Sequence, residues 1–283
     1  MSSGMDSAST SVLRRFPWPA PLQTVDAPEW TGHAFRLGPG RSVPVLACTE
    51  DESHWSDELT LLHEAEAGRG DHPLDIASRH LAVRTLRREI APGRVILDAG
   101  CSSGFLLHDM RAAFPGAALI GADYIGGPLH RLARDLPGVP LLQFDLRKSP
   151  LPDACVDMIF CINVLEHIDR DEQAIGEIHR MLKPGGVAHI EVPSGPSFYD
   201  IYDEHLMHHR RYRMSEFLGK ARAAGFTVVS QTHLGALVFP AFYLSKRRNV
   251  RLLRLSPEAK AARVRSMMRR TRTSSVVALA MRL

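Results

Sequence analysis

The sequence predicts a doubly wound α/β fold, a parallel sheet with helices on both faces. Three observations carry that prediction. Five short apolar runs, at 95–99, 118–123, 140–144, 156–162 and 187–192, alternate with helical or loop segments. The runs are continuous rather than alternating in polarity, as strands buried on both faces require. The residues that close them are polar or glycine-rich, and such a sheet holds its ligands outside the carboxyl ends of its strands.

Composition bounds the rest. The chain has 283 residues, 45% of them hydrophobic and 23% charged, with a net charge of +4. That is a soluble globule, long enough for one large domain with additions. The four cysteines, Cys48, Cys101, Cys155 and Cys161, have neither C-x-x-C spacing nor the framework of a small secreted domain. Reduced thiols and a cytoplasmic location are therefore expected. Residues 1–16 are small and polar and lack the apolar centre of a secretory signal, so disorder is expected there. The longest apolar stretch, 235–244, is about half the roughly 20 residues that a membrane-spanning helix needs.

Residues 1–71, rich in Pro, Trp and Gly ("FPWPAPL", "LGPGRSVPVL"), have no strand and helix rhythm and read as an extension packed on the domain that follows. Within it "SHWSDELTLLHEAEAG" places Leu59, Leu62 and Ala65 on one face behind a Ser56 cap and stops at Gly68. A short amphipathic helix, suited to be a lid, is expected. A second helix, "HPLDIASRHLAVRTLRREI", leads to Pro92 and Gly93.

The strand at 95–99 runs into Asp98-Ala99-Gly100-Cys101-Ser102-Ser103-Gly104. Its glycines let backbone approach a ligand closely, and a helix from Phe105 presents free N–H groups. The strand at 118–123 ends in Asp123, about 20 residues beyond the turn, where a carboxylate can accept both hydroxyls of a ribose. Asp145 follows the third strand and Asn163 the fourth. Leu165-Glu166-His167 is expected to start the next helix, with His167 as a wall residue. "LKPGG" reads as a turn with Pro184 and Gly185 at its centre.

The turn has the form G-x-x-x-G, whereas a dinucleotide site has G-x-G-x-x-G. Asp98 decides between ligands. A carboxylate repels a nearby pyrophosphate and attracts an ammonium or sulfonium. A cationic nucleoside without phosphate fits, and S-adenosylmethionine is such a molecule. A nicotinamide-dependent oxidoreductase is the rival reading.

The run D-A-G-C-S-S-G, the D-Y after the second strand, "DLRKSPLPDACVDMIFCINVLEHI" and "EIHRMLKPGGVAHIEVPS" resemble, in order and spacing, the class I S-adenosylmethionine-dependent methyltransferases. "EHLMHHRRYRMSEFLGKARAAGF" resembles the segment that precedes their sixth strand, and "SSVVALAMRL" their last. The resemblance covers roughly residues 75–234 and the final strand. It implies a Rossmann-like, mostly parallel seven-stranded sheet with an antiparallel last strand, in a domain over 72–283 with a basic insertion at 236–273. It also implies that Asp98, Gly100 and Gly104 hold the methionine moiety, with Cys101 between them, and that Asp123 holds the ribose. Tyr124 would flank the adenine, Asp145 would accept its exocyclic amine beside Leu146, and Asn163 would line the floor near the sulfonium. Asp145 has a second reading as the cap of the turn before "RKSPLP".

The acceptor side falls on "PSGPSFYDIYDEHLMHHRRY". His205 and His208 are three apart, so on one helix both face the strand ends, with His209 turned away. Either is a candidate general base. Tyr199, Tyr202, His209, Arg210 and Arg211 are the candidate substrate contacts, the arginines for an acidic group. Glu204, His205, His208 and His209 have helical spacing for a metal but no clear third carboxylate partner, and no metal site is assigned.

Between 246 and 272 the chain has eleven Lys or Arg against one acid, Glu258. Such a run suits an anionic membrane surface, a phosphorylated substrate or RNA, or else a solvated helix pair forming a lid or a homodimer surface. No stacking aromatic cluster accompanies it, which weighs against nucleic acid. The expected function is methylation of a small-molecule or lipid-linked acceptor, at oxygen first, then nitrogen, then carbon. A protein of this fold that binds S-adenosylmethionine without methylating is the remaining alternative.

Overall fold

The computed structural model describes residues 7–22, 27–50, 70, 72–234 and 239–272. Helix α1 (Ser7–Arg14) and a small antiparallel sheet of β1 (Glu29–Trp30), β2 (Phe35–Arg36) and β3 (Ser42–Val43) come first. The main sheet follows, with β4 (Val45–Ala47), β5 (Val95–Ala99), β6 (Ala118–Asp123), β7 (Leu141–Gln143), β8 (Val156–Ile162) and β9 (Leu182–Glu191). Its order is β4-β7-β6-β5-β8-β9, and every pairing is parallel. The expected doubly wound α/β architecture holds. The chain winds from β5 outward through β6 to β7 and then returns to place β8 on the other side of β5. The strand order reverses there, and a crevice opens at the carboxyl ends of β5 and β8.

The strand residues sort onto two cores. Val95, Leu97 and Ala99 face one cluster, with Leu13, Phe16, Trp18, Trp30 and Phe35 from the first 36 residues and Ile175 and Ile178 from α5 (Asp171–Met181). Ile96 faces the other, with Leu86 of α2 (Pro73–Leu86), Leu107 and Met110 of α3 (Phe105–Ala113), and Leu129 and Leu132 of α4 (Gly126–Asp135). Leu13, Trp30 and Phe35 are at most 1% exposed. Each such side chain contributes roughly 1.5–3 kcal/mol by leaving water, so the described part of the first 36 residues belongs to the main core.

Five expectations change. Disorder was expected at 1–16, yet Ser7–Arg14 form α1 and Leu13 is fully buried. The first 71 residues were expected to be an appended extension without strand rhythm, yet Val45, Leu46 and Ala47 pair in parallel with Leu141, Leu142 and Gln143 as an edge strand of the main sheet. Three residues after a proline are too short for periodicity to reveal. The "LKPGG" turn lies within β9 rather than before it: the register jumps from Val156↔Leu182 to Met158↔Val187, and Gly185 takes φ +76° in the excursion. Leu165–His167 is a 3-10 turn and α5 starts only at Asp171, because Asp169 accepts the Arg170 N–H and pairs with Arg147, holding the intervening chain in a loop. Residues 227–234, after α7 (Met214–Ala223), form no strand. The expected lid helix at 56–68 and the last strand at 274–283 fall outside the described residues. Among the described residues no helix is long and apolar enough to cross a membrane.

Beyond β9 come α6 (Ile201–His205), α7, α8 (Phe239–Val250) and α9 (Pro257–Arg272). The last two carry most of the expected basic insertion. They are fastened to α6 by ion pairs, one buried and one exposed: the Lys246 ammonium, 6% exposed, lies 2.7 Å from Asp200 Oδ1, and Lys260 lies 2.6 Å from Glu204 on the surface.

Candidate active site

At the end of β5 the chain needs backbone that side chains would obstruct. Gly100 has φ +84°, and a Cβ there would run into Val164. Gly104, at φ +74°, caps α3, and a Cβ there would run into Leu132 of α4. A cavity follows the carboxyl ends of β5, β6, β8 and β9, walled by Asp98, Gly100, Cys101, Asp123, Tyr124, Asp145, Leu146 and Asn163. All the expected cofactor residues except Gly104 therefore border this cavity. Gly104 serves the close packing of α3 on α4 instead.

Asp98 is 5% exposed, and burial followed by the charge of Asp123 pushes its carboxyl up to about 7. Burial likewise raises the Cys101 thiol well above its ordinary value, so it is no nucleophile at neutral pH. Asp123 fixes the turn from outside: its Oδ2 accepts the Ser102 N–H at 2.8 Å and its Oδ1 the Ile125 N–H at 3.0 Å. Ser102, at φ +46°, is held in that conformation by this bond. Asp145 takes the capping role of its second reading, accepting the Arg147 N–H at 2.8 Å, and its two oxygens also receive the Arg147 guanidinium, which reaches on to Asp169. Asn163 closes β8 at φ +52° with its N–H on Glu191 O.

The acceptor end differs from expectation. Helix α6 stops at His205, and Met207 turns the chain at φ +55°, so His205 and His208 do not share a helix face. His208 and His209 wall the cavity along with Arg211 and Tyr212, whereas His205, Tyr199, Tyr202 and Arg210 are not among its walls. Their places follow from other bonds. The Tyr199 hydroxyl donates to His208 O, and Tyr202 lies under the Lys246 ammonium at 5.4 Å from its ring centre. Arg210 pairs with Asp171 at 2.9 Å.

His208 is brought in by Asp203, which is fully buried. Its Oδ1 lies 2.9 Å from His208 Nδ1 and 2.7 Å from Arg211 Nε, and its Oδ2 lies 3.4 Å from Lys246. Burial alone would raise the Asp203 carboxyl, but the hydrogen bonds from His208 and Arg211 and the charge of Lys246 hold it well below the usual carboxylate range. The Nδ1 bond leaves His208 Nε2 directed at Glu166, 4.0 Å from its Oε1, and the ring stands edge-on to His167 at 4.7 Å. Glu166 is 1% exposed, and burial pushes its carboxyl up to about 8.

Sequence reasoning did not single out Glu166, Asp203 as an anchor, or Lys246 as a buried group. Neither did it find the far wall, where Ser78 of α2 donates to Glu191 at 2.6 Å and His189 meets the same carboxylate at 2.8 Å. Lys246 meets Asp203 from 43 positions away and Ser78 meets Glu191 from 113, and no local spacing announces either contact. Phe198 packs edge-on against Phe239, Phe242 and Tyr243 of α8, and Phe239 and Phe242 border the cavity.

Residues 97–190 match the family model of the methyltransferase domain. The chain is 31% identical over 155 residues to a probable S-adenosylmethionine-dependent methyltransferase of Mycolicibacterium smegmatis, covering 53% of this chain and 58% of that protein. It is 30% identical over 176 residues to the trans-aconitate 2-methyltransferase of Azoarcus sp., covering 62% of each. The chain thus spans about three-fifths of the length of these two relatives. A solved structure of a putative sarcosine dimethylglycine methyltransferase from Galdieria sulphuraria superposes with a TM-score of 0.56 over 80% of this chain and 94% of that one. At 15% identity that likeness is one of fold.

Proposed function

We propose, from the premise that this chain belongs to the class I S-adenosylmethionine-dependent methyltransferases, that it methylates a small acceptor, at oxygen in first place. The observation that carries the reading is the convergence of Asp98 and Asp123 on the glycine turn at the switch point of the sheet. The fit to the cofactor rests on the same donors. A buried carboxyl held near neutrality by its surroundings is stabilised as a carboxylate by a cation at contact distance, and repelled by a phosphate. When bound, S-adenosylmethionine supplies an electrophilic methyl group on a sulfonium.

The chain's own residues do the rest. Asp98 faces the ammonium and sulfonium side, and Asp123 locks the turn through Ser102 and Ile125 while its outer lone pairs receive the ribose hydroxyls. Tyr124 and Leu146 flank the base, with Asp145 beside it. Alignment in a closed site supplies much of the acceleration of such a transfer. The acceptor's nucleophilic atom loses its proton at the cluster of Glu166, His167 and His208, where Asp203 sets the ring orientation of His208. Arg211 and His209, on the same wall, contact the acceptor. The similarity to trans-aconitate 2-methyltransferase favours a small organic acid, which Arg211 suits.

The test is a screen of small acids and hydroxylated metabolites with the purified protein and S-adenosylmethionine, read by mass spectrometry for methylated product. An acceptor that gains a methyl group, at a rate lowered at least about a hundredfold in His208→Ala with cofactor affinity kept, is the expected result. Cofactor binding without any methylated product across the screen would favour the non-methylating alternative.

The basic segment of α8 and α9 favours a second reading, a lipid-linked acceptor. Leu244 and Leu255 are 57% and 42% exposed among Arg247, Arg248, Arg251 and Arg254, a combination suited to an anionic membrane surface. Cosedimentation with phosphatidylserine vesicles, absent with neutral phosphatidylcholine, is the expected outcome.

A further inference from the structure

Three side chains from two distant stretches of chain meet beside the carboxyl end of β8. The carboxylate of Glu166 and the imidazoles of His167 and His208 each offer a ligand atom, and these atoms lie within 4.8 Å of one another. Glu166 Oε2 is buried and has no hydrogen-bond partner, although the residue is 1% exposed and borders the cavity. An unpartnered carboxylate oxygen at such depth is costly. Among the described residues none donates to it, which leaves that oxygen open to a cation.

The surroundings are built as for a ligand set. His208 has its Nδ1 on the Asp203 carboxylate at 2.9 Å, which fixes the tautomer that leaves Nε2 as a donor pair toward Glu166. A carboxylate behind a metal-binding histidine plays this part, orienting the ring and raising its basicity. The nearby positive charge of Arg211 is engaged elsewhere, on Asp203 Oδ1 at 2.7 Å and on Ser194 O at 3.2 Å. Donors bound to one cation with bonds of about 2.1 Å sit roughly 3 to 3.5 Å apart, so Glu166 and His208, now 4.0 Å apart, close on it with a small side-chain movement.

From this geometry we infer that Glu166, His167 and His208 form a binding site for a divalent transition-metal cation, open on its remaining positions to the acceptor end of the cavity. Two imidazoles and a carboxylate suit zinc, iron, cobalt or manganese, and select against calcium and magnesium, which prefer all-oxygen sets. The site itself depends on nothing beyond these residues. Its role rests on the methyl-transfer reading: a cation there would hold an acceptor oxygen and lower its pKa, so that its proton leaves to solvent before the methyl is transferred.

The experiment uses the full chain, stripped with chelator and dialysed, titrated with Co2+ alone and followed by visible absorption and by bound metal per chain. One equivalent bound, with ligand-field bands of mixed nitrogen and oxygen coordination, is expected. Affinity falls at least tenfold in Glu166→Gln and in His208→Gln, and is unchanged in His130→Ala on the exposed face of α4. Binding of S-adenosylhomocysteine, measured on the same preparations, reports that the variants are folded and keeps the outcome separate from the cofactor reading. No stoichiometric Co2+, or Co2+ bound equally by all three variants, would overturn the inference and leave His208 as a metal-free base.

Discussion

The two ends of the cleft are built by opposite means. The end proposed for the methyl donor is built on one contiguous stretch, residues 98–104, tied to the neighbouring strand by Asp123, whose carboxylate accepts the Ser102 N–H and, beyond its own strand, the Ile125 N–H. The acceptor end is assembled from the turn after β8, from α6 and its exit, and from α8, and buried charge holds it: Asp203 alone engages His208, Arg211 and Lys246. The donor end is therefore rigid through backbone geometry, and the acceptor end through ion pairs. Backbone geometry tolerates change in the surrounding side chains, whereas a network of buried charges fails as a unit when one member is removed.

Asp203→Asn should therefore be the most damaging single change. It strips the compensating charge from a buried guanidinium and ammonium, and removing one partner of such a set costs about 3–5 kcal/mol. Urea denaturation would read this as a large fall in midpoint; a loss below 1 kcal/mol would mean that the acceptor end is not held by charge. At the donor end Gly104→Ala imposes φ +74° on a side chain and drives its Cβ into Leu132. A loss of about 1–3 kcal/mol is expected in the same assay.

Tyr212→Phe is milder. The hydroxyl donates to Asp171 at 2.8 Å and Leu165 O at 3.1 Å, but Lys220 and Arg210 still satisfy Asp171. About 1–2 kcal/mol should be lost, with the 3-10 turn that presents Glu166 and His167 loosened, so that acceptor KM rises more than cofactor affinity falls.

A pH slope belongs to the donor end. Asp98 is raised from its ordinary 3.8 to about 7 by burial and by Asp123. The folded state therefore binds more protons than the unfolded chain across that window, and stability without ligand falls as pH rises from about 4 to 7. Asp98→Asn should flatten the stability profile over that range in thermal melts, so that its difference from wild type changes with pH. Affinity for a cationic ligand should move the other way, rising as the carboxylate forms.

The same contrast decides what was legible from sequence. Strands β5, β6 and β8 announce themselves as apolar runs, and Asp98, Asp123 and the glycine turn lie at their ends, so local pattern and topology together found the donor wall. Gly104 was placed on that wall because spacing cannot tell a glycine that admits a ligand from one that admits a helix. The acceptor end depends on tertiary pairs. His205 and His208 looked equivalent at a spacing of three, but α6 ends at His205 and only the bond to Asp203 decides which ring reaches the cavity. Lys246 read as one of eleven solvated cations, and its burial against Asp200 and Asp203 has no signature in the chain around it. Strand β4, three residues long, is set by its partner β7 and not by its own period.

The central claim is that Asp98 and Asp123 make the donor end a site for S-adenosylmethionine, and calorimetry tests it most directly. The full chain should bind S-adenosylhomocysteine at one per chain and bind NAD far more weakly. Asp123→Ala, which removes the ribose acceptor and the lock on Ser102, should weaken S-adenosylhomocysteine binding by about tenfold to a few hundredfold, as hydrogen bonds of roughly 1.5–3 kcal/mol to a charged acceptor imply. Tighter binding of NAD, or an unchanged affinity in Asp123→Ala, would contradict the account.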